Sequence, residues 1–278
     1  VSGQKSELIT RIIEFYDNLR KDINTLDDDR IVYFEYFEDL ASRNLDQLRA
    51  QNIIIKDMIL KPDLTLGLST GSSPLGVYSK LIEAYKKGFI SFKDITTFNL
   101  DEYIGIDRSH SQSYYRFMRE NLFNHVNVNF DNVHIPNNDV EQINTIADTY
   151  NQLLHNHTID VQILGIGSNG HIGFNEPGTP LRNETFIAEL DEGTRLDNAR
   201  FFASLDEVPK YAITMGIKNI MKAQKIIVLA LGKYKAKAVQ GMIEGPVSNE
   251  LPASILQLHP NCSIILDEEA ASQIKNRP

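Results

Sequence analysis

Short apolar segments alternate with amphipathic segments along most of this 278-residue chain. The apolar segments have the length of strands and little alternation in polarity, which is typical of a parallel sheet that is covered on both faces. The predicted strands are 64–68, 95–99, 133–135, 161–164, 226–231 and 263–266. The predicted helices are 40–50, 75–87, 113–123, 139–156, 209–222 and 233–244, and a short helix ends the chain. The pattern therefore predicts an α/β fold with a mostly parallel sheet.

The first 36 residues do not follow this alternation. Apolar residues at three- and four-residue spacing predict an amphipathic helix over 6–24, and 30–36 has the pattern of a first strand. We therefore predict an N-terminal helical extension over 1–29 and one α/β domain over 30–278. The extension is expected to pack on that domain or on a neighbouring subunit, because an apolar stripe is generally buried.

Charge and cysteine content narrow the class of protein. The chain has 28 Lys and Arg against 37 Asp and Glu, a net charge of −9, which argues against a nucleic-acid coat. The single cysteine, Cys262, excludes an internal disulfide framework and fits a reducing compartment. The longest apolar segments, such as 226–231, are far shorter than the ~18 residues of a membrane span. We expect a soluble cytoplasmic protein that binds neither nucleic acid nor membranes.

The loop after the strand at 64–68 has the composition of an anion site. In an open parallel sheet, ligands bind beyond the carboxyl ends of the strands, so the loops that follow strands are the candidates. This loop combines hydroxyls and glycine in Thr70, Gly71, Ser72 and Ser73, directly before a predicted helix. Free N–H groups at a helix start bind phosphate, although the same residues also suit a simple helix cap. No Gly-Lys-Ser/Thr follows, so nucleotide hydrolysis is not predicted.

An acidic pair, Asp101 and Glu102, directly follows the strand at 95–99. Partial burial at such a position raises the pKa of a carboxyl group and suits it to act as a general base. The alternative is structural, with Asp101 capping a helix and Glu102 solvated.

A third loop carries a histidine on a glycine-lined floor. Gly165, Gly167 and Gly170 formally match a dinucleotide-binding pattern, but the glycines and prolines that follow prevent the helix which that site requires. His171 lies in this loop, with Glu176 five residues later. A histidine with a carboxylate partner can transfer protons near neutral pH, although a lone histidine is often structural.

Two basic residues suggest a second arm of an anion site. Lys235 is predicted in the first turn of a helix, where a cation is unfavourable unless an anion lies between it and the helix. Together with Arg200 it could hold a phosphate. The remaining histidines lack the spacing of metal ligands, so no metal is expected.

Long motifs of this chain resemble the glucosamine/galactosamine-6-phosphate isomerase family. The resemblance covers about 31–270 and includes the segments 67–74, 97–105, 113–118, 165–177, 200–202, 208–212 and 256–259. It implies a Rossmann-like three-layer α/β/α domain and conversion of α-D-glucosamine 6-phosphate and water to D-fructose 6-phosphate and ammonia.

The resemblance also implies roles for individual residues. Asp101 matches the base that enolises the sugar, and His171 matches the acid/base for ring opening, with Glu176 as its carboxylate partner. Asn169 stands where members of the family carry Asp or Asn. The loop 70–73, Arg200 and Lys235 match the residues that hold the substrate phosphate, and no cofactor is implied.

Two departures from the family pattern lead to further expectations. Asn169 removes one negative charge from the surroundings of His171, which predicts a pH optimum different from that of relatives with Asp. Phe186 and Ala188 stand where allosteric members carry basic residues, and the C-terminal segment of their effector site is not matched. We therefore expect no activation by N-acetylglucosamine 6-phosphate.

Three alternative functions stay open at this stage. A 6-phosphogluconolactonase would carry Arg at the position of Tyr103 and would lack the Phe-Asn-Glu-Pro segment at 174–177. Galactosamine 6-phosphate differs from glucosamine 6-phosphate at one hydroxyl, so sequence does not separate these substrates. A non-catalytic sugar-phosphate sensor is supported by fold analogy alone. The sequence does not distinguish a monomer from a homo-oligomer.

Overall fold

The computed structural model describes residues 41–199, 202 and 204–275. The helix predicted over 6–24, the strand predicted over 30–36 and the predicted domain boundary at residue 29 lie outside these residues.

The described chain alternates strands and helices. The strands are β1 (Thr65–Leu68), β2 (Thr96–Asn99), β3 (Asp101–Tyr103), β4 (Val133–His134), β5 (Val161–Gly165), β6 (Phe186–Glu189), β7 (Tyr211–Thr214), β8 (Lys225–Ala230) and β9 (Cys262–Leu266). The α-helices are α1 (Ala41–Leu60), α2 (Leu75–Lys86), α3 (Tyr114–Asn121), α4 (Ile146–His155), α5 (Glu192–Ala199), α6 (Ile217–Ile220), α7 (Ala236–Glu244) and α8 (Glu268–Ala271).

Six of these strands form a parallel sheet in the order β4-β2-β1-β5-β8-β9. Thr65 of β1 lies opposite Thr96 of β2, and Val161 of β5 lies opposite Lys225 of β8. The inner strands β1, β5 and β8 are almost wholly buried. This burial explains their continuous apolar sequences and confirms the predicted parallel sheet.

Helices cover both faces of the sheet, so the fold is a Rossmann-like three-layer α/β/α arrangement. Apolar residues of α1, α2 and α3 pack in one core with Leu66 and Ile163. Residues of α4, α6, α7 and α8 pack in a second core with Leu164 and Val228. Ile163 and Leu164 are adjacent in β5 and enter opposite cores, because successive side chains of a strand point to opposite faces.

A second, antiparallel sheet in the order β3-β7-β6 corrects one prediction. The predicted helix over 209–222 is wrong, because Tyr211–Thr214 is a strand and only Ile217–Ile220 is helical. The partners of β7 are β3 and β6, which are distant in sequence, so local periodicity does not reveal the pairing. Gly216 also separates the strand from the helix, since a Cβ there would lie 2.1 Å from the carbonyl oxygen of Asn183.

Helix boundaries differ from the predictions in smaller ways. Helix α1 continues ten residues beyond the predicted end at 50, and α4 begins at Ile146 rather than 139. A 3₁₀ turn, Val140–Gln142, occupies part of the predicted start of α4, and a second 3₁₀ segment, Pro252–Leu258, was not predicted. Within the described residues, no helix combines the length and the apolarity needed to cross a membrane.

Candidate active site

The four candidate loops follow four adjacent strands of the parallel sheet. The strands β2, β1, β5 and β8 are neighbours in that order, and each is followed by one of the loops identified from sequence. Since these strands are parallel, their carboxyl ends lie at the same edge of the sheet. The topology therefore brings Asp101, the loop 70–73, His171 and Lys235 to one edge.

Asp101 is a buried carboxyl group at this edge. It begins β3, lies opposite Thr214 of β7 and is only 7% exposed. Burial, reinforced by the neighbouring charge of Glu102, raises its pKa to about 8. Within the described part of the chain, the Asp101 carboxylate accepts no hydrogen bond. The ionised form of Asp101 is therefore a stronger base than an ordinary carboxylate, and no described residue donates a hydrogen bond to it.

Glu102, rather than Asp101, caps a helix, which is the structural alternative considered for Asp101 in the sequence analysis. Its carboxylate accepts hydrogen bonds from the backbone N–H groups of Tyr103, Tyr114 and Tyr115, at 2.9–3.0 Å, and from the Ser113 hydroxyl. The alternative of a solvated Glu102 is wrong, since the residue is 1% exposed. Burial raises the pKa of Glu102, and these hydrogen bonds oppose that rise. Glu102 thus joins β3 to the start of α3 and fixes the strand that carries Asp101.

His171 and Glu176 form the predicted pair. His171 Nδ1 lies 3.1 Å from Glu176 Oε2, and the same oxygen accepts a hydrogen bond from Asn169 Nδ2 at 2.8 Å. Asn169 Oδ1 in turn accepts the backbone N–H of His171. Nδ1 is occupied by Glu176, so Nε2 is the ring nitrogen that this pair leaves unused.

Thr194 is a member of this cluster that sequence analysis missed. Its hydroxyl donates to Glu176 Oε1 at 2.7 Å. Burial acts to raise the pKa of Glu176, but hydrogen bonds from His171, Thr194 and Asn169 outweigh it and lower the pKa. No local motif marks Thr194, since it belongs to α5 and lies 18 residues after Glu176.

The three glycines of the third loop have different surroundings. A Cβ on Gly167 would lie 2.5 Å from Nε2 of His171, so this position must be glycine for the imidazole to lie where it does. Gly170 has a φ of +87°, and a Cβ there would lie 2.7 Å from Leu251 Cγ. A Cβ on Gly165 would meet no atom within 4 Å among the described residues, so the floor is open at this point.

Gly173 brings the histidine loop close to Asp101. Its φ is +55°, and a Cβ there would lie 2.8 Å from Thr214 Oγ1 and 3.6 Å from Asp101 Oδ2. Thr214 Oγ1 also accepts the backbone N–H of Phe174. The loop that carries His171 is thus held against β7, the strand that pairs with Asp101. Sequence analysis used Gly173 only as a helix breaker and did not identify Thr214.

Two residues of the predicted anion site, Lys235 and Ser73, are in contact. Lys235 Nζ donates to Ser73 Oγ at 3.0 Å, which joins the loop after β8 to the loop after β1. Both side chains are buried, whereas Gly71 and Ser72 are exposed and Thr70 is half-buried. Gly71 has a φ of +88°, so the loop turns back before α2. Arg200, the other predicted cation, lies outside the described residues.

Burial lowers the pKa of Lys235 to about 8, and the charge of Asp267 partly offsets this effect. A dianionic phosphate beside the ammonium would favour its charged form. Lys235 is therefore a buried amine whose charged form an anionic ligand would stabilise.

Among the described residues, no group of three or more His, Cys, Asp or Glu side chains is arranged to hold a metal ion. The sequence-based expectation of a site without metal or cofactor stays a prediction.

Comparison with known proteins identifies relatives over nearly the whole described chain. A model of the family described as glucosamine-6-phosphate isomerases/6-phosphogluconolactonase matches residues 49–264. The glucosamine-6-phosphate deaminase of Thermoanaerobacter pseudethanolicus is 50% identical over 227 residues, which are 81% of this chain and 90% of that protein. The glucosamine-6-phosphate deaminase of Clostridium novyi is 47% identical over 246 residues, 88% of this chain and 100% of that protein.

Two solved structures are similar to this chain. A monomeric glucosamine-6-phosphate deaminase superposes with a TM-score of 0.81 at 42% identity and covers 83% of this chain and 96% of that chain. The 6-phosphogluconolactonase of Trypanosoma brucei superposes with a TM-score of 0.68 at 20% identity, covering 84% of this chain and 96% of that chain. The second likeness shows a shared fold alone.

Proposed function

Since the chain belongs to the glucosamine-6-phosphate isomerase/6-phosphogluconolactonase family, we propose that it is a glucosamine-6-phosphate deaminase. It converts D-glucosamine 6-phosphate and water to D-fructose 6-phosphate and ammonia. The deaminases of T. pseudethanolicus and C. novyi support this substrate, because about half of their residues are identical to those of this chain.

The state of Asp101 is the single observation that carries the mechanism. The carbon-bound hydrogen at C2 of the sugar is a weak acid, so its removal needs a base stronger than an ordinary carboxylate. Burial beside Glu102 raises the pKa of Asp101 to about 8, and the carboxylate is not engaged by the protein. The substrate's 2-ammonium group favours the ionised form of Asp101 on binding.

Ring opening comes first, because only the open-chain aldehyde makes the C2 hydrogen acidic. His171 Nε2 transfers a proton from the anomeric hydroxyl to the ring oxygen, which opens the pyranose. Glu176, in contact with His171 Nδ1, stabilises the cationic imidazole during this transfer.

Proton transfer between carbons then leads to deamination. Asp101 removes the hydrogen at C2, while the 2-ammonium loses a proton and the aldehyde oxygen at C1 gains one, which gives an enolamine with a C1 hydroxyl. Asp101 then returns its proton to C1. C2 then carries an iminium group, which water hydrolyses to the ketone of fructose 6-phosphate with release of ammonia. The reaction has no net oxidation or reduction, so the proposal includes neither cofactor nor metal.

The phosphate group is held away from the reacting carbons. Lys235 and the loop from Thr70 to Ser73 bind it, with Arg200 as the proposed second cation. This contact supplies binding energy that keeps C2 over Asp101, and a positioned base of this kind contributes about 10²–10⁴-fold to the rate.

The wider assignments belong to the same proposal. The catalytic domain comprises 30–278, preceded by the extension 1–29, and the reaction takes place in the cytoplasm. A sugar phosphate is the proposed ligand.

Coupled detection of ammonia and fructose 6-phosphate tests the proposed function. The full chain is assayed with glucosamine 6-phosphate, galactosamine 6-phosphate and 6-phosphogluconolactone. Equal amounts of ammonia and fructose 6-phosphate from glucosamine 6-phosphate are expected. Hydrolysis of the lactone without ammonia release from either amino sugar would contradict the proposal.

A further inference from the structure

The two oxygens of Glu176 have separate donors. Oε2 accepts from His171 Nδ1 and from Asn169 Nδ2, whereas Oε1 accepts from the Thr194 hydroxyl. Within the described residues, no other donor contacts Oε1. Glu176 is 8% exposed and Thr194 is 5% exposed, so water competes little for this contact. A hydroxyl-to-carboxylate bond of 2.7 Å has the length of a charge-assisted hydrogen bond.

The Thr194 hydroxyl is not needed by its own helix. At the start of α5, Asp191 Oδ1 accepts the backbone N–H of Gly193 at 2.8 Å, and the Asp191 carbonyl accepts that of Arg195. The side chain of Asp191 thus provides the cap that a threonine often provides. Because Thr194 is β-branched, its χ1 angle in a helix is restricted, which limits where its hydroxyl points.

We infer that Thr194 is a positioning residue, which fixes the Glu176 carboxylate through Oε1 and so keeps Oε2 directed at His171. Thr194 itself does not touch the sugar in this account; it acts through Glu176. The inference rests on the proposed function for its kinetic consequences, but the contact itself does not depend on the substrate.

Loss of the hydroxyl has two consequences. The ionised form of Glu176 loses a hydrogen bond, so the pKa of Glu176 rises. The carboxylate is then held through Oε2 alone, by His171 and Asn169, so its rotation is less restricted and its alignment with the imidazole during ring opening is weaker. Both effects slow turnover more than they weaken substrate binding, because the phosphate contacts are unchanged.

The test compares Thr194→Val, Thr194→Ser and a matched control, Thr97→Val. Valine has nearly the shape of threonine and lacks the hydroxyl, whereas serine retains it. Thr97 is fully buried in β2, and its hydroxyl has no partner in the described structure, so Thr97→Val removes a buried hydroxyl that makes no contact. Thermal unfolding of each variant confirms the fold, and Thr194→Ala replaces Thr194→Val if the latter does not fold.

Two measurements are made on each full-length variant. The first is kcat and KM for glucosamine 6-phosphate. We expect kcat of Thr194→Val to fall about tenfold with little change in KM, and Thr194→Ser to restore it to within about threefold. In a Glu176→Gln background, Thr194→Val should change kcat by less than about threefold, because the carboxylate through which it acts is gone.

The second measurement is NMR titration of carboxyl-¹³C-labelled glutamate, with Glu176→Gln to assign the Glu176 signal. The midpoint for Glu176 should move upward in Thr194→Val and stay in place in Thr194→Ser and Thr97→Val. An unchanged midpoint and kcat in Thr194→Val would overturn the inference, as would a Thr194→Ser variant as impaired as Thr194→Val. If the wild type releases no ammonia, the proposed function fails, and the titration still decides the role of Thr194.

Discussion

Gly167→Ala is expected to displace His171 without unfolding the protein. The backbone of Gly167 is outside the left-handed region, so alanine fits its conformation. The new Cβ would lie 2.5 Å from both Cε1 and Nε2 of His171, whereas ordinary contact begins at 3.4 Å. The imidazole must therefore move by about 0.9 Å, the difference between these two distances. A misplacement of about 1 Å at a reacting group can lower the rate by about 100-fold, so we expect kcat to fall by that order.

The assay for Gly167→Ala is steady-state release of ammonia from glucosamine 6-phosphate. Thermal unfolding and binding of fructose 6-phosphate serve as controls, since the phosphate contacts proposed at Lys235 do not involve the substituted residue. A kcat within about threefold of the wild type would refute the reasoning, because the imidazole would then tolerate the shift or play no part in the limiting step.

Four further predictions follow from the same site. Plotted against pH, kcat/KM should be bell-shaped with a maximum near pH 8, because the pKa values of Asp101 and Lys235 are both about 8 and catalysis needs the ionised carboxylate and the charged ammonium; a flat profile between pH 6 and 10 would contradict this assignment. Lys235→Met should raise KM at least about tenfold with a smaller change in kcat, since it removes a charged donor to the substrate phosphate in the proposed site, and initial-rate kinetics measure both. Glu102→Ala leaves one buried and two partly buried backbone N–H groups and the buried Ser113 hydroxyl without their acceptor, so urea denaturation should show a loss of about 3 kcal/mol in the free energy of unfolding. Asn169→Asp places a second negative charge beside Glu176 and should move the pH–rate profile to higher pH; superimposable acidic limbs would argue against it.

Sequence was sufficient for the parallel sheet because its inner strands are buried on both faces. Strands such as β5 and β8 are continuous apolar segments, and no other arrangement buries them as well. The sequence-based prediction was wrong for β7, because its partners β3 and β6 are far away in the chain. Ala212 and Ile213 are buried by that pairing, while the four-residue spacing from Ile213 to Ile217 resembles the period of a helix.

In the candidate site, too, local contacts were predicted and contacts between distant segments were missed. The pair His171–Glu176 was predicted because both residues lie in one loop after a strand, and the structure confirms their contact. The roles of Glu102 and Thr194 were missed, because each acts on a segment more than ten residues away in sequence. Local motifs place side chains near one another, whereas caps and supporting hydrogen bonds depend on how separate elements meet.

The most direct test of the account follows the C2 hydrogen. The full chain and its Asp101→Asn variant are each given glucosamine 6-phosphate deuterated at C2, and NMR measures the rate of fructose 6-phosphate formation and the label at C1. We predict that the wild type forms product with deuterium at C1 or exchanged into water, and that Asp101→Asn forms it about 10²–10⁴-fold more slowly. Product formation by Asp101→Asn at the wild-type rate would contradict the role of Asp101 as the base.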